Sequence, residues 1–440
     1  MKLTDDERRM LDGGDGPAVA AAMSLLVRYG EVLGAERLVG TDNVCGANIF
    51  TPRQAQLAGR AAGAQGGPGT ESGPGPAVHD AIFAEFSLDS RGGFEIPPVR
   101  AHSCQLIGPM DTVEWRTQGV SQAAREQIMD SESYSGRHGI HLMNTCTPYQ
   151  VGNVPVRGEH CAWMESSAVV YINSVLGAMT NVEGRESAAA AMLTGKIPYW
   201  GYHLPENRLA TILVEVAAEV GSVMDWGLLG YWLGDAVGEE IPVLTGITGA
   251  PNLVMLKHFG AAAASSGGVE MYHIPGVTAE ARTPEEALGG RPPARTLRYG
   301  PAERAGTYQR LNAVASDTSV DLVMIGCPHA TLDQIRDVCD LLDGRTVASG
   351  TCLWVFTPRA IRLMAEQSGY GERLRRAGGV LMSDTCPAIG RFVPEGTRVI
   401  ATDSAKQVHY LPAIMGVQGW FGSTADCVDA AVTGTWRGDL

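Results

Sequence analysis

Asp321-Leu322-Val323-Met324-Ile325-Gly326-Cys327-Pro328-His329 holds four consecutive apolar residues after Asp321, the pattern of a strand buried on both faces. Thr331 and Gln334 follow at capping-box spacing and predict a helix. Downstream, Leu353-Trp354-Val355-Phe356 reads as a second strand, with a helix from about Thr357. Val380-Leu381-Met382 reads as a third strand. Arg398-Val399-Ile400-Ala401 reads as a fourth, with a helix after Ser404 and a last helix near Ser423. Strands alternating with helices predict an α/β fold built on a mainly parallel, doubly wound sheet. Such sheets bind ligands beyond the carboxyl ends of their strands.

Upstream the pattern is weaker. Thr4-Asp5-Asp6-Glu7 fits a capping box, and Asp15-Gly16-Pro17 predicts a helix capped by Asp15 and running to about Tyr29. The Gly/Pro-rich residues 63–76 predict a mobile loop. The chain divides, on this reading, into an N-terminal α/β region (1–140), a central region (141–315) and the doubly wound region (316–440). A lone Gly-Val-Gln-Gly at 416–419 is too weak a signal for a nucleotide loop.

A net charge of −14 argues against nucleic acid, which needs clustered Lys and Arg, but leaves open an anionic small substrate held by local charge. The most apolar stretch, 209–237, is broken by Glu215, Glu219, Asp225 and Asp235, so no membrane span is expected. With no apolar leader at Met1, a cytoplasmic protein is expected. Its nine cysteines then suit reduced thiols or metal ligands better than a disulfide framework.

Two cysteines fall at the predicted strand ends, Cys327 in Gly-Cys-Pro-His and Cys386 in Asp-Thr-Cys-Pro. A third, Cys146, lies in Asn-Thr-Cys-Thr-Pro-Tyr. Three thiolates on separate loops suit an iron–sulfur cluster with one iron left open. Buried cysteine is also a common small hydrophobe, and no C-x-x-C pair supports ligation. Cys339 and Cys427 fall within predicted helices and read as core, while Cys352, Cys45, Cys104 and Cys161 show no partner pattern. His329 reads as a ligand, an acid or a local hydrogen-bonding group. Ser404 at a helix start suits a substrate carboxylate, and Lys406 adds a charge-assisted contact; an ordinary N-cap with a solvated lysine is the competing reading.

Longer motifs then accumulate in order. They are Cys146-Thr147-Pro148-Tyr149, Gly152-Asn153, Gly158-Glu159-His160, Glu165-Ser166-Ser167-Ala168-Val169 and Asn173-Ser174-Val175-Leu176-Gly177-Ala178. Lys257, Ser265-Ser266-Gly267, Gly276-Val277-Thr278-Ala279-Glu280-Ala281, Gly326-Cys327-Pro328-His329, Asp384-Thr385-Cys386-Pro387 and Ser404-Ala405-Lys406 follow. This series resembles the aconitase X family over residues 1–45 and 110–434. The resemblance implies an aconitase-like α/β fold around a cluster of the 2Fe–2S or 4Fe–4S type held by Cys146, Cys327 and Cys386. It also implies a substrate site with Ser404 and Lys406 catalytic and with Glu165, Ser166, Asn173, Lys257 and His160 binding. The implied reaction is dehydration of a small hydroxy acid. Cis-3-hydroxy-L-proline is the first choice, favoured by an Ala/Gly/Arg-rich composition of bacterial type. Phosphomevalonate, another hydroxy acid of a specialised pathway, or a non-catalytic cluster-bearing scaffold or sensor are the alternatives. In the superfamily the base is a serine on a small mobile domain. No such domain is recognised in this sequence, so a separate small swivel-type subunit carrying that serine is expected. Asp42-Asn43-Val44-Cys45-Gly46 departs from the family, which carries a histidine in this segment.

Overall fold

The computed structural model describes residues 1–46 and 96–440. The loop expected at 63–76 lies outside them. The capping box at Thr4 forms: its hydroxyl accepts from Glu7 N (3.3 Å), and its own N–H donates to the Glu7 carboxylate (2.9 Å). The helix Pro17–Val32 is capped by Gly16 at φ 94°, not by Asp15, and continues beyond Tyr29. Asp15 instead forms ion pairs with Arg9 and Arg100, a stronger use of a carboxylate than one cap bond.

The first unit contains β1 (Leu38–Gly40), β2 (Asn43–Cys45), β3 (His102–Cys104), β4 (Ile140–His141), β5 (Cys161–Trp163) and β6 (Lys196–Pro198). β1 and β6 form an antiparallel pair. The other four make a parallel sheet in the order β4-β3-β2-β5. This sheet draws strands from both sides of residue 140, so the first unit runs past the division expected there.

The apolar stretch 209–237 becomes β7 (Ile212–Val216) and the helix Val223–Val237. β7 lies between β8 (Pro242–Thr245) and β9 (Arg295–Tyr299), all parallel. The helices Val223–Val237 and Leu253–Gly267 pack with backbones nearly touching. A Cβ on Gly267 would lie 1.8 Å from Gly234 O, so only glycine allows this approach. That contact fixes the helix bearing Lys257. No helix among the described residues is long and apolar enough to cross a membrane.

The C-terminal sheet contains β10 (Leu322–Ile325), β11 (Cys352–Thr357), β12 (Gly379–Ser383), β13 (Val399–Thr402) and β14 (Gln418–Phe421). Its order is β12-β11-β10-β13-β14, all parallel. The helix expected from Thr357 starts instead at Arg359, because β11 extends through Thr357, whose hydroxyl donates to Ala330 O (2.8 Å). β14 was not expected. Gly416, in Gly-Val-Gln-Gly, closes the preceding helix at φ 69°, and Gln418-Gly419 begins the fifth strand.

Candidate active site

From β10 the chain crosses to β11 on one side, and from β13 to β14 on the other. The connections therefore diverge between β10 and β13, leaving a crevice at their carboxyl ends. Cys327 leaves β10 through Gly326, which has φ +100° and where a Cβ would meet Phe356 O at 2.2 Å. Ser404 and Lys406 leave β13 on the facing side. Ser404 caps the helix Ala405–Met415, accepting from Gln407 N (3.1 Å), and its hydroxyl also acts on the Cys327 sulfur, favouring the thiolate.

Cys386 follows β12 in a loop held by Asp384, at φ 66°. The Asp384 carboxylate accepts from Arg359 N (2.9 Å) and Nε (2.5 Å), and Gly108 of the first unit donates to Asp384 O (2.7 Å). Cys146 reaches the same region from the first unit. Its sulfur accepts the His329 N–H (3.3 Å), and the neighbouring Thr145 hydroxyl meets His329 Nδ1 (2.8 Å).

Glu165 caps the helix Ser166–Tyr171, and Lys406 donates to its Oε1 (2.5 Å) and to Ser167 Oγ (3.2 Å). Both side chains are nearly buried. Burial opposes charge on each, yet their contact holds Glu165 below the usual carboxylate range and Lys406 above the usual lysine range. The two are an ion pair. Glu165 and Lys406 both act electrostatically on all three cysteines, which puts the five groups in one neighbourhood. Burial raises the three thiols, Cys386 to about 12.

Lys257 enters from the second unit. Its buried ammonium donates to His329 O (2.8 Å) and Gln334 Oε1 (2.7 Å), and burial lowers its pKa to about 8. Both of these bonds go to the protein. Asn173 and His160 are not drawn into the group. The Asn173 amide donates to Thr180 O and Glu270 O and accepts from Thr180 N, while Arg208 donates to the Asn173 backbone carbonyl (3.0 Å). His160 shares a 2.9 Å contact with His203. Ser166 is half-buried beside the site, and Ser167 takes the contacts with Glu165 and Lys406. Asn43, in the segment that departs from the family, bonds Asn153 (2.7 Å) and Trp163 Nε1 (2.9 Å). Cys339 and Cys427 are buried in the core.

Among the described residues no three His, Cys, Asp or Glu side chains close on one point as ligands of a single ion do. Cys327 acts electrostatically on both Cys146 and Cys386, so three thiols on separate loops lie in one neighbourhood, a donor set that would suit an iron–sulfur cluster.

Family models for the aconitase X first, second and third domains match residues 86–206, 210–309 and 320–433. A phosphomevalonate dehydratase large subunit from Methanothermobacter thermautotrophicus is 40% identical, covering 94% of this chain and 95% of its own. A cis-3-hydroxy-L-proline dehydratase from Hypocrea jecorina is 34% identical, covering 99% of this chain and 69% of its own. The crystal structure of Thermococcus kodakaraensis aconitase X in its holo form superposes with a TM-score of 0.78 at 28% identity, over 98% of this chain and 100% of that one. With three domains matched in order along most of its length, the chain belongs to the aconitase X family of dehydratases.

Proposed function

We propose that this chain is the large subunit of an iron–sulfur-dependent hydro-lyase acting on a small hydroxy acid. The observation that carries the reading is the Lys406–Glu165–Ser167 group beside Cys146, Cys327 and Cys386 at the crevice of the five-stranded sheet. The three thiols would hold the cluster, whose exposed iron supplies Lewis acidity toward the substrate hydroxyl. Lys406 binds the substrate carboxylate, assisted by the N–H groups at the start of the helix Ala405–Met415. Glu165 and Ser167 orient the ammonium. Ser404 holds the Cys327 loop against the helix start. The base is the serine of a separate small subunit, supported by relatives that are named large subunits and match this chain along almost their whole length.

Cis-3-hydroxy-L-proline is the first substrate to test. Phosphomevalonate is the second reading, favoured by the 40% identical relative. The test is absorbance and EPR spectroscopy of anaerobically purified protein, then a turnover screen over both substrates. Ser in place of any one of Cys146, Cys327 or Cys386 is expected to remove most of the iron, whereas Cys339→Ser keeps it. Wild-type protein that holds no iron after reconstitution, or full iron in any one of the three variants, overturns the assignment.

A further inference from the structure

His329 lies two residues after Cys327 and is wholly buried. Its ring nitrogens are both engaged. Nε2 faces Thr385 O at 3.0 Å, and a carbonyl oxygen only accepts, so Nε2 carries the proton. Nδ1 lies 2.8 Å from Thr145 Oγ1 and accepts that hydroxyl's proton. Thr145 Oγ1 in turn accepts from Thr147 N (3.1 Å) and from the Thr147 hydroxyl (3.1 Å). Every donor in the chain then has an acceptor. The backbone of His329 is equally committed: its N–H donates to Cys146 Sγ, while Lys257 (2.8 Å) and Gln150 (3.1 Å) donate to its carbonyl.

One imidazole thus joins the residue before Cys146 to the residue before Cys386, from a position beside Cys327. We propose that His329 is a positioning residue that sets the spacing of the three cysteine loops, acting as the Nε2–H tautomer and neither as an iron ligand nor as an acid. The inference rests on the cluster reading above. The Cys146 loop comes from the first unit and the Cys327 and Cys386 loops from the third, and a bifunctional ring ties the three together. Outer groups of this kind set ligand orientation and influence metal affinity.

The test uses full-length chain reconstituted anaerobically with ferrous iron and sulfide, comparing wild type with His329→Gln, His329→Leu, Thr145→Val and Cys386→Ser. Iron and sulfide per chain, the EPR signal and the midpoint potential are read, with circular dichroism to confirm folding. His329→Gln places an amide N–H where Nε2–H lies and is expected to keep most of the iron. His329→Leu loses both bonds, and its iron affinity is expected to fall about 10–100-fold. Thr145→Val is expected to keep iron but to change the EPR signal and the potential, because it frees the Nδ1 side of the ring. Wild-type iron and spectra in a folded His329→Leu overturn the proposal, as does a His329→Gln that is as iron-poor as His329→Leu. If His329→Leu does not fold, an unchanged spectrum and potential in Thr145→Val overturn it. If Cys386→Ser holds as much iron as wild type, the cluster assignment itself fails, and this inference with it.

Discussion

Lys406 and Glu165 illustrate how much a single contact decides. Each is nearly buried and each keeps its charge because of the other. Lys406→Ala removes the one cation bonded in this group and should weaken substrate binding by about 10–100-fold, the scale of a charged hydrogen bond. Iron content should stay at the wild-type level; a titration of substrate against iron-loaded variant checks both. Unchanged affinity removes Lys406 from the site. Ser404 and Lys406 were legible from their place at a helix start, whereas Glu165 came only with the family motif that carries it. The choice between Ser166 and Ser167 was not legible, because helix phase decides which hydroxyl turns toward the lysine and adjacent serines carry no phase signal. Asn173 was misleading for a related reason: a buried amide needs partners, and here those partners are the backbone of Thr180 and Glu270, with Arg208 at 3.4 Å. Glu183 gives a second, independent test. Burial, with Glu270 nearby, raises its pKa from 4.5 to about 7 against the lowering effect of the Ser187 hydroxyl. The native chain therefore holds a proton that the unfolded chain has lost, so this contribution to stability is full below about pH 4.5 and disappears as pH rises through about 7. Relative to wild type, Glu183→Gln should gain up to about 3 kcal/mol between pH 4 and pH 8, read from urea melts at the two pH values. An equal difference at both places its proton elsewhere.

Elements carry the next level of constraint. The segment 108–118 of the first unit is held to the end of β12 by Asp111, which is fully buried. Its carboxylate accepts from Ser383 N (2.6 Å), the Ser383 hydroxyl (3.2 Å) and Arg362 (3.0 Å). Arg362→Met leaves that carboxylate without its cation and should cost about 3–5 kcal/mol in urea unfolding. The double variant Asp111→Asn with Arg362→Met should recover part of the loss. Equal loss in single and double variants assigns the effect to Arg362 packing. Nothing in the sequence pointed to this contact, because it joins residues far apart in the chain. Strands β10 to β13 were legible as continuous apolar runs followed by caps. β2 to β5 were not: two- and three-residue strands such as Asn43–Cys45 hold no measurable period, and their sheet is defined by pairing alone. β14 was hidden by Gly419, which weakens a strand signal and is needed here because a Cβ would meet Val408 at 2.8 Å.

At the scale of the molecule, three units surround one crevice: the first supplies Cys146 and Glu165, the second Lys257, the third Cys327, Cys386, Ser404 and Lys406. On the proposed function, the purified chain should bind iron but turn over slowly or not at all, and co-expression with a small swivel-type subunit should restore turnover. Full turnover by the chain alone would require a base among its own residues, with Ser404 the first place to look. The distribution of the cysteines also has a consequence in time. The His329 N–H that meets the Cys146 sulfur lies 183 positions further along the chain. At about 5–20 residues per second, a ribosome needs roughly 10–40 s to make that distance. Throughout that interval the newborn Cys146 exists without the residues that later enclose it. On the proposed function, nascent chains halted before Cys327 lack two of the three proposed ligands and should carry no iron however long they wait.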